Sequence, residues 1–234
     1  MLFRSGAPAW RDSGWVKYHG LTALAVGDLF GTGRARVVAG TEYQTPINVL
    51  DEDGQRLWYT WEQVGSEHRS STVRSGTDAR VVRLADLNSD GRLEIIYGTG
   101  DLQVLALDPR DGRHVWKADV GGEVVGLEVV PGATGELEIV VATDNGLVCR
   151  LSRYGAPIAR RSVDLSLRAL AADPAGRLAA AGPAGVWLLA PDLEPLACVK
   201  TAPVVQLVAM LSTDRPSCLY AAGDEWGEIL FPPV

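Results

Sequence analysis

Short apolar runs, turn glycines at a near-constant step and a scarcity of helix-period segments together predict an all-β chain. The expected architecture is a five-bladed β-propeller of four-stranded antiparallel blades, closed by the N-terminal strand joining the last blade. The apolar runs are "ARVVAGT" from Ala35, "LEIIYGT" from Leu93, "LEIVVAT" from Leu137, "RLAAAGP" from Arg177 and "CLYAAGD" from Cys218. Each follows a turn, and each turn follows another apolar stretch. The turn glycines Gly33, Gly91, Gly135 and Gly176 are 58, 44 and 41 residues apart, and Pro216 continues the series 40 residues later. A step of 40 to 44 with one larger insertion is the period of propeller blades.

Each unit divides into four short strands rich in Val, Ile and Leu, bounded by glycine or aspartate turns. The first (residues 22–63) reads "LTALAVGD", "RARVVAGT", "PINVLDEDG" and "QRLWYTWE". The second (80–121) reads "ARVVRLAD", "RLEIIYGT", "LQVLALDP" and "RHVWKADV". The third (123–164) ends with "LVCRLSRYG" and "APIARRSV", and the fourth (166–201) with "GVWLLAPD" and "LEPLACVK". The fifth (204–234) has three strands, "VVQLVAM", "SCLYAAGD" and "GEILFPPV". Its missing outer strand is expected from residues 1–18, where "RSGAPAWR" parallels the "RYGAPIAR" of the third unit. Such closure would remove a free sheet edge, and residues 1–234 would form one domain. An open arc completed by a partner or second copy is the alternative.

The chain has 234 residues, 47% hydrophobic, enough for a sizeable core. A net charge of −7 opposes a general nucleic-acid surface, which needs clustered positive charge. No apolar run approaches the roughly 20 residues of a membrane span, so neither nucleic acid nor membrane is an expected partner. Three cysteines, Cys149, Cys198 and Cys218, form neither a disulfide framework nor a CxxC pair, and all three are expected as buried thiols in strands. His19, His68 and His114 have no zinc spacing. A bacterial, cytoplasmic protein is the expectation, or a periplasmic or secreted one where a leader has been removed.

The second unit carries an aspartate-rich turn, "DLNSDGRLE". Asp86, Asn88, Asp90 and Glu94 set oxygen-bearing side chains around Gly91, and the Arg92 carbonyl supplies another ligand for one structural calcium. The same residues also suit a metal-free turn, in which Asp or Asn bonds its own backbone. Asp28 and Asp173 keep the first position in two other units, but the remaining oxygens are not repeated there.

"ADLNSDGRLEIIYGT" resembles the FG-GAP/VCBS type of propeller repeat, an aspartate-rich turn before a short apolar strand ending in glycine. That resemblance implies a calcium loop at Asp86, Asn88, Asp90 and Glu94. "VLALDPRDGRHVWKA" and "VLDEDGQRLWYTW" are similar to the pyrroloquinoline-quinone-dehydrogenase-like (PQQ-like) repeat, in which an aspartate–glycine turn precedes a tryptophan strand. Trp58, Trp116 and Trp10 hold comparable outer-strand positions and are expected to pack between neighbouring blades, and the resemblance does not extend to a quinone site. The resemblance covers the first two units well and the third in part, and it bears on fold more than function.

Function is expected at loops on one propeller face, those joining strands two and three together with the blade-to-blade connections. The longest connection, "VGSEHRSSTVRSGTDA" (Val64 to Ala79), carries His68, Arg69 and Arg74. With Glu42, Tyr43 and Gln44 from the first unit and Asp224, Glu225 and Trp226 from the last, these residues form the expected partner-binding set. The expectation is a non-catalytic protein-interaction scaffold or regulatory subunit binding a protein partner, as a subunit of a larger complex or on its own. The alternative is a carbohydrate-active five-bladed propeller, a glycoside hydrolase or lectin-like module. A hydrolase would draw paired acids from Glu42, Asp101, Asp144 and Asp224.

Overall fold

The computed structural model describes residues 20–42, 46–60, 78–163, 166–183 and 185–200, together with the backbone of strands at either end. Twenty-one strands are present among them. The N-terminal pair is β1 (Phe3–Arg4) and β2 (Ala7–Pro8). The first blade is β3 (Leu21–Gly27), β4 (Arg36–Thr41), β5 (Ile47–Leu50) and β6 (Arg56–Tyr59). The second is β7 (Ala79–Ala85), β8 (Glu94–Thr99), β9 (Gln103–Leu107) and β10 (His114–Asp119). The third is β11 (Val124–Pro131), β12 (Leu137–Thr143), β13 (Leu147–Ser152) and β14 (Pro157–Ser162). The fourth is β15 (Ala169–Ala172), β16 (Leu178–Gly182), β17 (Gly185–Leu189) and β18 (Pro195–Val199). A three-stranded sheet of β19 (Val204–Met210), β20 (Cys218–Gly223) and β21 (Trp226–Leu230) follows.

In every blade the strands lie in sequence order and pair antiparallel, the topology of a meander. The same irregularity recurs at the same place. A bulge interrupts the pairing of strands one and two after Leu21, Ala79, Val124 and Val204. A second bulge interrupts strands three and four between Val49 and Leu50, Arg150 and Leu151, and Leu188 and Leu189. The repeat read from turn spacing is therefore a repeat of backbone geometry, and the three-stranded sheet shares it.

Burial explains the two kinds of sequence pattern. Strand two is buried nearly throughout: β4, β8, β12 and β16 each present both faces to protein. That is why "EIIYGT" and "LAAAG" are unbroken apolar runs. Strand four is half-exposed with alternating burial in β6, β10, β14 and β18, so "HVWKAD" and "PIARRS" alternate. Cys198 is exposed on β18, contrary to the expectation of a buried thiol, because the outermost strand turns alternate residues to solvent. Cys149, on the third strand of its blade, is buried, and burial pushes its thiol pKa up. The side chain of Cys218 lies outside the described residues.

The chain divides into two compact units, Met1–Asp101 with Leu105–Lys117, and Leu102–Val104 with Ala118–Val234. In the first, Leu29, Val38, Ile47, Val82, Ile95 and Tyr97 share one core spanning the first two blades. In the second, Val130, Val140, Ala142, Leu170, Leu178 and Leu189 form the corresponding core of the third and fourth. Gly126 is required there, since a β-carbon would stand 2.4 Å from Cβ of Leu170.

β1 and β2 pair with each other, Phe3 opposite Pro8 and Arg4 opposite Ala7. Among the described residues this pair forms its own two-stranded sheet, and β21 ends the last sheet without a fourth strand. Among the described residues no helix is long and apolar enough to cross a membrane.

Candidate functional site

The aspartate-rich turn is held by its own side chains. Asp86 accepts from the amide of Asp90 through Oδ1 (3.1 Å) and from that of Gly91 through Oδ2 (2.8 Å). Asn88 Oδ1 accepts from Asp90 N at 2.8 Å, and Asp90 Oδ1 from Arg92 N at 2.9 Å. Glu94 receives the amide of Leu87 on one oxygen and the Asn88 side-chain amide on the other, each at 2.8 Å. Ser89 and Gly91 take left-handed φ values of 63° and 82°, the latter without strain for glycine.

Burial raises the Glu94 pKa, opposed by the Leu87 amide and reinforced by Asp90 and Asp86. The oxygens are thus directed at amides, and among the described residues no three His, Cys, Asp or Glu side chains gather to hold a metal ion. The donor types suit a hard cation, and the same side chains hydrogen-bond the backbone of the turn.

The other units show why the first aspartate recurs. Asp28 accepts from the amides of Phe30 and Gly33. Its carboxyl feels some desolvation, yet the amides of Thr32, Gly33 and Phe30 together hold it below the usual range. Asp173, itself buried, accepts from Arg177 N at 2.8 Å and pairs with its guanidinium at 2.7 Å. The turn glycines Gly33, Gly91, Gly135 and Gly176 all have positive φ between 76° and 82°. The left-handed glycine is common to all four turns, and three of them add an aspartate at the start, with or without further acids.

At the opposite end of each blade, the loops between strands two and three meet the chain entering the blade. Thr41, Thr99 and Thr143 close strand two and are buried. Thr41 N donates to the Pro46 carbonyl at 2.9 Å, across the base of the first loop. Thr143 Oγ1 receives the Leu147 amide at 3.2 Å, and Thr99 Oγ1 that of Asp101 at 3.2 Å. Recurrence of this threonine in "VVAGT", "IIYGT" and "VVAT" was the available sequence signal for these pinning residues.

Glu42 is exposed, and its amide donates to the Gly20 carbonyl at 3.3 Å. Asp144 exchanges two bonds with Glu123, amide to carbonyl and amide to carboxylate, both at 2.9 Å. Asn145 Nδ2 donates to the Gly121 carbonyl at 2.9 Å. Asp101 lies near Asp78, which is ion-paired with Arg80 at 2.8 Å. Desolvation and then Asp78 raise the Asp101 pKa, while Lys117 lowers it. Asp144 thus clasps the connection entering its blade, and Glu42 meets its own through the backbone.

Tyr43, Gln44, His68, Arg69, Arg74, Asp224 and Glu225 lie outside the described residues, and Trp226 is described only as the first residue of β21. Of the long connection, Asp78 and Ala79 are described. The expected partner-binding set is therefore represented by Glu42 and the backbone of Trp226.

The tryptophan expectation is met in the first unit. Trp58, on β6, donates its indole N–H to the carbonyl of Pro109 in the turn after β9, at 2.9 Å. It packs against the core shared by the first two blades.

No family model matches the chain, and no curated protein does. Solved structures do. BBS1N in complex with ARL6DN, from a mercury-soaked crystal, is similar with a TM-score of 0.64 at 15% identity, covering 91% of this chain and 65% of that one. Its lead-soaked counterpart gives 0.62 at 14%, covering 87% and 58%. Sqt1 of Saccharomyces cerevisiae gives 0.62 at 14%, covering 80% and 52%. The chain therefore spans between about half and two thirds of the structures it resembles. At such identity the likeness is one of fold, and with the four-stranded meanders it shows a β-propeller.

Proposed function

We propose that this protein is a non-catalytic interaction scaffold that binds a protein partner through the loops between strands two and three and the adjoining blade connections. The observation that carries the reading is the use of the recurring polar groups at that end of the blades. Thr41, Thr99, Thr143, Asp144 and Asn145 bond the backbone, so they build a fixed frame rather than a reaction centre. Loops carried on a rigid frame are the usual recognition elements of such folds. Glu42, Tyr43 and Gln44, the segment with His68, Arg69 and Arg74, and Asp224, Glu225 and Trp226 make up the proposed contact set. BBS1N, of similar fold, was crystallised in a protein complex, which agrees with this reading.

The test is affinity capture from native lysate with the wild type, Glu42→Lys and Trp226→Ala, each first checked for an unchanged melting temperature. A specific captured protein lost with both variants is expected. Unchanged capture by folded variants would overturn the assignment of the face. Turnover of a glycan abolished by Asp101→Asn or Asp144→Asn would favour the hydrolase instead.

A further inference from the structure

Among the described residues, three that are not glycine take left-handed φ values: Ser89 (63°), Leu102 (64°) and Leu193 (70°). Left-handed backbone brings Cβ too close to the following carbonyl oxygen, so any residue but glycine carries steric strain there. The two leucines share this strain in opposite surroundings. Leu193 is 1% exposed and belongs to the core of the third and fourth blades, so burial offsets its strain. Leu102 is 43% exposed.

Leu102 is the last residue of the loop between β8 and β9, and Gly146 is the last residue of the loop between β12 and β13. Each stands three residues after the threonine that closes strand two, Thr99 or Thr143. Val120 N donates to the Leu102 carbonyl at 2.8 Å, and Val163 N to the Gly146 carbonyl at 2.8 Å. Gly146 has a φ of 84°. Both are three-residue hairpin loops ending in a left-handed residue, a position that favours glycine. The backbone bonds of the loop are made equally well with either residue. The second blade therefore holds an aliphatic side chain where the turn itself needs none, under strain and with much of its surface in solvent.

We propose that Leu102 is an apolar anchor of the partner contact, its isobutyl group entering a socket of aliphatic or aromatic side chains on the partner protein. The inference rests on the role proposed above for the loops between strands two and three, and it names a residue that carries affinity there. Strain that burial does not offset is characteristic of residues kept for binding. An isobutyl group offers a partner only apolar surface, which fixes the chemistry of the socket. The short, hydrogen-bonded turn holds the side chain in place beforehand, so little ordering remains for the bound state.

The probe is the protein that the wild type retains from native lysate and Glu42→Lys does not, identified by mass spectrometry, purified and titrated into the full chain by calorimetry. Leu102→Asn supplies a residue that tolerates the left-handed turn and removes the aliphatic group. It should weaken the titrated complex by roughly tenfold or more, with a melting temperature no lower than that of the wild type. Leu102→Met, which keeps apolar volume, should bind within about threefold of the wild type. A lower melting temperature for Leu102→Asn would show the side chain serving its own fold and would overturn the proposal. Undiminished binding by Leu102→Asn, beside losses at Glu42→Lys and Trp226→Ala, would overturn it and leave the assignment of the face standing. A wild-type dimer that Leu102→Asn dissociates, read by light scattering, would make a second copy the occupant and overturn it too. Should no protein be retained by the wild type and lost with Glu42→Lys, both readings fall.

Discussion

Trp58 lies so close to Gly112 that a β-carbon on the glycine would stand 2.7 Å from the indole ring. Gly112 also has a φ of 72°. The sequence around it, "DPRDG", places this turn against the strand-four tryptophan of the preceding blade.

Gly112→Ala should therefore destabilise by about 2–4 kcal/mol, the sum of left-handed backbone strain and overpacking. Urea unfolding measures it. In the Trp58→Ala background the overpacking part should vanish, leaving about 1–2 kcal/mol. Equal losses in both backgrounds would show that the indole is not the obstacle.

The turn aspartates should differ in cost according to burial. Asp173 pairs with Arg177 at side-chain exposures of 1% and 13%, so Asp173→Ala leaves a buried guanidinium without its carboxylate. A loss of about 3–5 kcal/mol is expected. Asp86→Ala, in a turn whose amides water can reach, should cost about 1 kcal/mol. Denaturation of the two variants in parallel checks the order, and a larger loss at Asp86 would contradict it.

Glu94 has a folded pKa above its ordinary value, through burial and the neighbouring Asp90 and Asp86. For an acid raised in the folded state, the native protein holds more protons than the unfolded chain between the two pKa values. Its contribution to stability is full below the ordinary carboxylate pKa and falls as pH rises through the folded one. Glu94→Gln should lack that downward slope, so the melting temperature of the variant minus that of the wild type should rise with pH. Melting temperatures taken from pH 4 upward reveal it, and a flat or falling difference would refute the assignment.

The same turn bears on metal binding. Its oxygens already receive the amides of Leu87, Asp90, Gly91 and Arg92. Adding calcium or a chelator should leave the melting temperature of the wild type unchanged. A calcium-dependent rise that Asp90→Asn abolishes would instead establish the calcium loop that the FG-GAP resemblance implies.

The blades were legible because their signals are local. A left-handed glycine, an aspartate five residues before it and an apolar run after it fit within one turn and one strand, as in Asp28–Gly33 and Asp86–Gly91. Spacing alone does not say whether an oxygen of the Asp86–Glu94 turn aims at a cation or an amide, and in the fold these oxygens receive amides. Arg150 was invisible for a different reason. Its partners Pro131 and Pro191 are 19 and 41 residues away in sequence, and only folding brings them together. The alternation of packing did leave a trace: Trp58 and Trp116 mark strand four in two blades, and Ala159 breaks that series.

The self-contained turns also bear on how the chain acquires its shape. Asp28, Asp86 and Asp173 each bond groups no more than five residues ahead. Such loops close in well under a microsecond, far faster than sheets can find one another across tens of residues. The inner hairpins are thus the early-forming pieces, and the glycine-to-leucine contact at Gly126 and Leu170 belongs to the later step, when neighbouring hairpins settle face to face. Mutating the caps should slow folding, whereas mutating that contact should chiefly hasten unfolding.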